Sequence, residues 1–259
     1  MEKGQFFWLQ PPYARLETWT EEAQEDPTLT PGACLVWRLG LADTPRRAEQ
    51  ARTRPAGVPL VVMLPPSSSV LDQDVVLDVV ERCRPQSILP HHPRIEIEEI
   101  ITLLRRPPDD LPGDVTEYLR WRGYAVDLEM RRTVRRIIEL SSDVRTVSAL
   151  ARGLYVSRRA LGRRFLSLGL PAPSHWLQIG RLLRATIQLQ NAPDNLFSIA
   201  CGLGYPDGFA LSNQMKRLTG VRPSTARDAL GWEWFFEAWL QQERQTGSLT
   251  HPVSLVGQH

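Results

Sequence analysis

The sequence predicts an α/β domain with a small parallel sheet, followed by an all-α domain that contains two helix-turn-helix units joined by a linker helix. Three observations lead to this prediction. Short apolar runs alternate with helical stripes in the first half, strand signals vanish from Asp114 onward, and one helical pattern occurs twice in the second half, about 50 residues apart. Alternating strands and helices indicate βα units, whereas repeated helical stripes indicate an all-α domain.

Residues 1–112 form the predicted α/β domain. Its candidate strands are apolar runs bounded by Pro and Gly: Phe6 to Leu9, Ala33 to Leu39, Pro59 to Leu64 and Ser87 to Pro90. Residues 70–83 and 97–104 carry apolar side chains at helical spacing. Strand and helix signals in this order predict a parallel sheet of about three to five strands.

A stretch rich in Pro and Gly, residues 106–113, follows these helices. Such a composition is typical of a linker, so we expect this stretch and residues 113–126 after it to connect the two domains. The all-α domain then covers residues 127–227. Residues 228–259 hold an aromatic-rich helix and a tail, and its tryptophans are expected to pack on the preceding helices or to contact a partner.

The pattern that occurs twice is a stripe of apolar residues at i, i+4 and i+7, each preceded by a short helix and a glycine turn. It reads Ser157-x3-Leu161-x3-Phe165-x2-Leu168 and Asp207-x3-Leu211-x3-Met215-x2-Leu218. The helix between the two units, Ser174 to Gln190, spans roughly 25 Å. One turn of B-DNA, roughly 34 Å, is the spacing at which two reading units face the same side of a duplex.

The formal net charge of +2 hides an uneven distribution. Residues 1–126 carry 14 basic and 19 acidic side chains, residues 127–227 carry 16 and 6, and residues 228–259 carry 1 and 4. Of the 16 basic residues in the middle segment, 15 are arginines. A basic block of domain size indicates a polyanion partner, and arginine suits bidentate contact with phosphate or guanine.

Several classes of function lack their sequence signals. Cys34, Cys83 and Cys201 have no metal-ligand spacing, so each is expected to be a small buried residue in a reducing cytosol. The adjacent His91 and His92 diverge and predict a loop rather than a metal site. Neither a signal peptide, a membrane span, a nucleophile elbow nor a phosphate-binding glycine pattern occurs. We therefore expect a cytoplasmic protein that is not an enzyme and needs no cofactor.

The second helix of the first unit carries candidate DNA contacts. With Leu161 and Phe165 inward, Arg159 and Arg163 point outward and are the candidate base contacts. The residues that cap or flank them are also candidates: Ser157, Arg158, Gly162 and Arg164. The alternative interpretation is that the arginines are only a solvated helix face.

The corresponding helix of the second unit is less charged. Its outward candidates are Phe209, Asn213 and Lys216, Arg217 flanks them, and Asp207 and Ala210 are further candidates. Asparagine can pair with adenine, and phenylalanine can touch a thymine methyl group. Phe209 could alternatively belong to the core.

Residues 127–227 resemble the AraC/XylS transcription regulators. The second unit matches that signature with Ile199-Ala200-x3-Gly204-Tyr205-x5-Leu211-x3-Met215-Lys216-x3-Gly220-Val221-x-Pro223-Ser224-x2-Arg227, and the first with Ala149-Leu150-Ala151-x5-Ser157-Arg158-Arg159-x-Leu161-x2-Arg164-Phe165. The helix between them carries the similar Arg181-Leu182-x2-Ala185. The resemblance implies seven helices and an asymmetric DNA site read in two consecutive major-groove segments. Leu211 and Met215 replace the usual phenylalanines, and Gly208 and Ala210 replace common polar readers.

The first domain faintly resembles a response-regulator receiver. A receiver needs an aspartate at the end of its central strand, where this chain reads Leu35-Val36-Trp37-Arg38-Leu39. Pro65 stands in place of the usual Thr or Ser, and His91-His92-Pro93 in place of Lys-Pro. The resemblance thus implies a degenerate receiver that does not accept phosphate in the ordinary way.

Together these features predict a sequence-specific DNA-binding transcription regulator. Its expected partners are double-stranded promoter DNA, RNA polymerase and a second copy bound through the first domain, with no membrane. Two alternatives stay open: a small-molecule-sensing regulator with a ligand pocket at the carboxyl ends of the strands, and an adaptor that keeps the fold for protein contacts.

Overall fold

The computed structural model describes residues 4–19, 30–40, 44–66, 73–92, 94–124, 126–192 and 194–252. They divide into two compact units: residues 1–106 with 228–234, and residues 107–227 with 235–259. Residues 70–72 of the first predicted helical stripe lie outside the described chain. None of the described helices combines the length and apolar character that a membrane crossing requires.

The first unit is built on a five-stranded sheet with the order β2-β1-β3-β4-β5. The strands are β1 (Gln5–Leu9), β2 (Leu16–Thr18), β3 (Cys34–Arg38), β4 (Leu60–Met63) and β5 (Ser87–Leu89). The helices are α1 (Thr44–Arg52), α2 (Gln73–Cys83) and α3 (Ile97–Arg105). The predicted α/β class is confirmed, and each of the four predicted strands is present.

The sheet is mixed rather than wholly parallel. β3, β4 and β5 are parallel, as predicted, but β1 is antiparallel to both β2 and β3. Strand β2 was not predicted, because its three residues lie in the first 30 residues, which are rich in Pro, Glu and Thr. Only six residues separate β1 from β2, and a parallel pair would need a crossover connection of about a dozen or more.

Both faces of the sheet are buried. On β3, Leu35 and Trp37 belong to one apolar cluster with residues of α1 and α2, while Cys34 and Val36 belong to a second cluster with residues of α3. Near-continuous apolar strands are what a sheet covered on both faces requires. The Cys34 and Cys83 thiols are buried as predicted, and burial raises the pKa of Cys83 to about 12.

Residues 228–234 complete this unit, although the sequence placed them in a C-terminal tail. Leu230 is fully buried in the second cluster. Its backbone N–H donates to the Tyr13 hydroxyl at 2.9 Å, and that hydroxyl donates to the Gly32 carbonyl at 3.1 Å. Burial of the Tyr13 ring raises the pKa of its hydroxyl, which stays neutral.

The second unit is helical throughout its described part. Its helices are α4 (Leu111–Trp121), α5 (Leu128–Leu140), α6 (Val147–Gly153), α7 (Arg158–Ser167), α8 (Pro173–Asn191), α9 (Leu196–Gly202), α10 (Gly208–Thr219), α11 (Pro223–Asp228) and α12 (Glu233–Gln245). Described residues 127–227 thus carry the seven helices that the family resemblance implies, α5 to α11.

Helix α4 occupies most of the segment 113–126, for which the sequence predicted a linker. Asp110 is its N-cap and accepts a hydrogen bond from the Gly113 N–H at 3.1 Å, and Pro112 stands in its first turn. Aspartate and proline at these positions begin a helix as readily as they form a loop. A carboxylate of α12 binds this helix. The Tyr118 hydroxyl and two nitrogens of the Arg122 guanidinium each donate to the buried Glu237 carboxylate at 2.9 Å.

Aromatic rings fill the centre of the second unit. Trp176 of α8 lies 4.8 Å from Trp239 and 6.3 Å from Phe236, both on α12, and 6.5 Å from Phe165 of α7, measured between ring centroids. All four are essentially inaccessible to solvent. Such pairs add about 0.5–1.5 kcal/mol each beyond the area they bury.

A histidine–carboxylate pair at the edge of this cluster makes stability depend on pH. His175 Nδ1 lies 2.9 Å from both oxygens of buried Glu243, which also accepts from the Trp239 indole N–H. The hydrogen bond to Glu243 raises the pKa of His175 above 6.5, although burial opposes it. The raised pKa means that this stabilisation is complete at acidic pH and is lost as pH rises through the folded-state pKa.

We therefore expect the free energy of unfolding of the wild type, minus that of His175→Gln, to decline between about pH 6 and pH 8, the range around an ordinary histidine pKa. Urea denaturation at several pH values measures this difference. Glu139→Gln, which removes an exposed carboxylate of α5, is the matched control and should show no such decline. A difference that is constant with pH would contradict the role of the pair.

Candidate nucleic-acid interface

The two helix-turn-helix units share one turn geometry. Val156 donates its N–H to the Ala151 carbonyl at 3.0 Å in the first unit, and Tyr205 donates to the Ala200 carbonyl at 2.9 Å in the second. The residue before each donor is left-handed: Tyr155 with φ 56° and Gly204 with φ 76°. Glycine adopts this conformation without strain, whereas an ordinary L-residue loses about 1–2 kcal/mol there.

Ser157, which the sequence predicted as an N-cap, and Asp207 each stand as the N-cap of the second helix of a helix-turn-helix unit. The Ser157 hydroxyl accepts from the Ala160 N–H at 3.1 Å, and the Asp207 carboxylate accepts from the Ala210 N–H at 2.7 Å. Each side chain thereby satisfies one of the four N–H groups that a helix start leaves unpaired. Both residues are exposed.

Apolar stripes anchor the two helices as the spacing predicted. Leu161 and Phe165 of α7 are buried, and so are Leu211, Met215 and Leu218 of α10. Leu168, which the pattern also placed inward, is only partly buried because α7 ends at Ser167 and Leu168 is its C-cap. The opposite faces of both helices are therefore directed to solvent.

The outward face of α7 is basic. Arg158, Arg159 and Arg163 are exposed, and none of the described carboxylates forms an ion pair with them. Gly162 lies between them with open space, since a Cβ built there meets no atom within 4 Å. A duplex can thus approach the backbone of α7 closely at this position.

Leu166 belongs to the same face and was missed from the sequence. It follows Arg159 and Arg163 at helical spacing i, i+4 and i+7, and 79% of its surface is exposed. An apolar residue among arginines carried no chemical signal by itself. Its position on the wheel opposite Leu161 was the signal that could have identified it.

Arg164 differs from the other three arginines because it lies against α5. Its guanidinium is paired with the Glu129 carboxylate and lies 3.9 Å from an Asp127 oxygen. The hydrogen bond between them raises the pKa of Arg164 and lowers that of Glu129. The pair is accessible to solvent, so it contributes little to stability, but it holds Arg164 to the side of α7.

The outward face of α10 is mixed. Phe209 is 76% exposed, which excludes the alternative that it belongs to the core. Asn213, Lys216 and Arg217 are also exposed, and Ala210 is partly buried. By position in the repeat, Phe209, Asn213 and Lys216 correspond to Arg159, Arg163 and Leu166. The first helix thus presents its apolar group in the last turn, and the second presents it in the first turn.

Helix α8, with 19 residues, is longer than its prediction and contacts helices of both helix-turn-helix units. Arg181, which is 9% exposed, has its guanidinium 5.1 Å from the centre of the Tyr205 ring, and Arg184 donates to the Ile138 carbonyl of α5 at 3.0 Å. The family-like Arg181 and Ala185 are thus buried structural residues. At about 1.5 Å per residue, α8 is roughly 28 Å long.

Two further predictions concern possible metal or thiol sites. Cys201 is exposed, contrary to the prediction that every cysteine is buried, because α9 turns Ile199 and Ala200 inward and Cys201 to solvent. Among the described residues, no three His, Cys, Asp or Glu side chains lie together in a way that could hold a metal ion.

Comparison with known proteins agrees with this geometry. Residues 150–229 match a family model described as a helix-turn-helix domain. No curated protein matches the chain.

Three solved structures are similar. The DNA-binding domain of AdpA, a global transcriptional factor solved with a target DNA, is 31% identical over 37% of this chain and 86% of its own, with a TM-score of 0.33. The C-terminal domain of AraT, a response regulator from Geobacillus stearothermophilus, is 28% identical over 40% and 86%, with a TM-score of 0.34. An AraC-type transcriptional regulator from Chromobacterium violaceum is 22% identical over 39% and 94%, with a TM-score of 0.35.

The family model begins within α6 and spans α7 to α10, and Ile199, Ala200, Leu211 and Met215 of the signature are buried. Residues 150–229, less than half of the chain, therefore match the helix-turn-helix domain family.

Proposed function

We propose that the chain is a sequence-specific DNA-binding transcription regulator that reads two consecutive major-groove segments, one with α7 and one with α10. The observation that carries the proposal is the outward face of α7, where Arg159 and Arg163 are exposed without a described carboxylate partner. In helix-turn-helix proteins, the second helix of the unit enters the major groove.

The two arginines are suited to guanine, whose O6 and N7 atoms accept both arms of a guanidinium. Arg158, at the first position of α7, is placed for a phosphate beside the groove. Each phosphate that a basic side chain neutralises releases counterions, so binding should weaken steeply as salt rises. This dependence distinguishes a DNA-binding protein from an adaptor that keeps the fold for protein contacts.

The second helix would select by shape and by uncharged contacts. Phe209 can pack against a thymine methyl group, and Asn213 can pair with adenine N6 and N7. Lys216 and Arg217 supply the phosphate contacts on that side. A spacer of roughly 28 Å between the units, close to the roughly 34 Å pitch of B-DNA, supports readout of successive groove segments.

The first compact unit, which contains the five-stranded sheet, would serve as a regulatory or dimerisation domain. Its parallel strands β3 to β5 support the likeness to a receiver, whereas the end of β3 and the two residues after it carry no acceptor for phosphate: Arg38, Leu39 and Gly40. Regulation through this unit would then act by binding rather than by phosphorylation of that position.

Arg163→Ala tests base readout by α7. We expect the variant to lose about 1–3 kcal/mol of preference for the cognate duplex over a scrambled one, because a bidentate guanine contact contributes about that much discrimination. Fragments selected from genomic DNA supply the cognate duplex, and gel-shift titration measures both affinities. Arg136→Ala is the matched control, since Arg136 is an exposed arginine paired with Glu139 on α5. Equal preference in wild type and Arg163→Ala would remove Arg163 from base readout.

Phe209→Ala tests the second segment. We expect its selected sequences to lose a thymine preference at a position about 10 base pairs from the one affected by Arg163→Ala, the separation of successive groove segments. Phe197→Ala is the matched control, because Phe197 is also an exposed phenylalanine, at 61%, but lies on α9. If Phe209→Ala alters the same base position as Arg163→Ala, or none, readout of two segments is wrong.

A further inference from the structure

Tyr155 is the most exposed of the large hydrophobic side chains described in the second compact unit, and the sequence left it without a role. It lies in the turn between α6 and α7, and 96% of its surface is accessible to solvent. Within the described chain, no hydrogen bond or ring contact engages its side chain. The tyrosine therefore contributes no packing that would explain its presence.

The backbone makes the choice of tyrosine unfavourable. Tyr155 has φ 56°, in the left-handed region, and the corresponding residue of the second helix-turn-helix unit is Gly204, with φ 76°. The flanking hydrogen bonds are the same in both turns, so glycine would fit at 155 as it does at 204. Strain that the surrounding structure does not repay is found most often at binding sites.

The position of the turn identifies what the side chain can reach. Tyr155 stands three residues before Arg158, the first residue of α7, and Val156 beside it is also exposed. When a helix enters the major groove by its N-terminal end, the turn that precedes it lies close to the sugar-phosphate backbone. Tyrosine is one of the side chains that donate to phosphate oxygens.

We propose that the Tyr155 hydroxyl donates a hydrogen bond to a DNA phosphate that borders the groove segment read by α7. The inference rests on the proposed function, and it adds a positioning residue rather than a base reader. The contact belongs to the first helix-turn-helix unit alone. The tyrosine of the second turn, Tyr205, is buried, and its hydroxyl donates to Gln214 Oε1.

Two variants of the full-length chain separate the hydroxyl from the backbone strain. Tyr155→Phe keeps the ring and the strain but loses the donor, and Tyr155→Gly loses the side chain and the strain. Binding to a fluorescein-labelled random-sequence duplex, measured by fluorescence anisotropy at several salt concentrations, is expected to weaken about tenfold in both, because a hydrogen bond to a charged acceptor contributes about that factor. Tm should rise by about 2 °C in Tyr155→Gly and stay unchanged in Tyr155→Phe.

Salt and sequence dependence distinguish a neutral phosphate contact from other contacts. A tyrosine releases no counterion, so the slope of log affinity against log salt should stay as in wild type, whereas Arg158→Ala should flatten it by about one. The loss should also be equal for cognate and scrambled duplexes, since a phosphate contact carries no base information.

The proposal is overturned if Tyr155→Phe binds as tightly as wild type, if the loss is confined to one duplex sequence, or if Tyr155→Gly lowers Tm. Failure of the proposed function itself gives a different result: wild type would then bind the cognate and the scrambled duplex equally well, whatever happens in the variants.

Discussion

Helix α8 is the constraint on which the display of both reading helices depends. Trp176 packs against Phe165, which lies on the buried side of α7, and Arg181 lies over Tyr205 in the second turn. Because each contact is buried, rotation of α7 about its axis would expose the Phe165 ring, and a shift of the second turn would separate Tyr205 from Arg181. Truncating a buried Phe or Trp to Ala costs about 3–5 kcal/mol, several times more than an exposed ion pair contributes. The outward directions of Arg163 and Asn213 are therefore fixed from the inside of the molecule.

The same helix shows why the count of basic residues overstates the charge available to a polyanion. Of the arginines in the basic block, Arg181 and Arg184 are buried or half-buried in structural contacts, and Arg227 donates to the Asp194 carbonyl at 2.9 Å. Arg164 is held by Glu129. These guanidiniums stabilise helix junctions because a planar, permanently charged group can cap several carbonyls at once. Arg158, Arg159 and Arg163 remain exposed on α7, and further exposed basic side chains lie on α5, α6 and α10, so the placement of the charges adds what their number does not show.

The sequence was sufficient wherever a local rule decided the structure. Apolar spacing identified both second helices, and Ser157 was found as an N-cap because capping is a local hydrogen bond. It was insufficient where distant partners decided. The α4 segment reads as a loop until Glu237, more than a hundred residues later, accepts from Tyr118 and Arg122. Likewise, no local rule shows that residues 228–234 complete the first core. Leu166 and Tyr155 were missed for another reason. Neither side chain is charged or belongs to a sequence motif, and the fold shows that both are exposed.

Under the proposed function, the two reading faces would depend on salt to different degrees. Three exposed arginines on or beside the outward face of α7 would act through long-range attraction, which draws any duplex and falls steeply with salt. On α10, the exposed ring of Phe209 and the amide of Asn213 would act only on contact, and their contributions would hardly change with salt. Arg159 and Arg163 would add base selection to the attraction of α7. The contacts of Phe209 and Asn213 should therefore carry a larger share of the discrimination as the salt concentration rises.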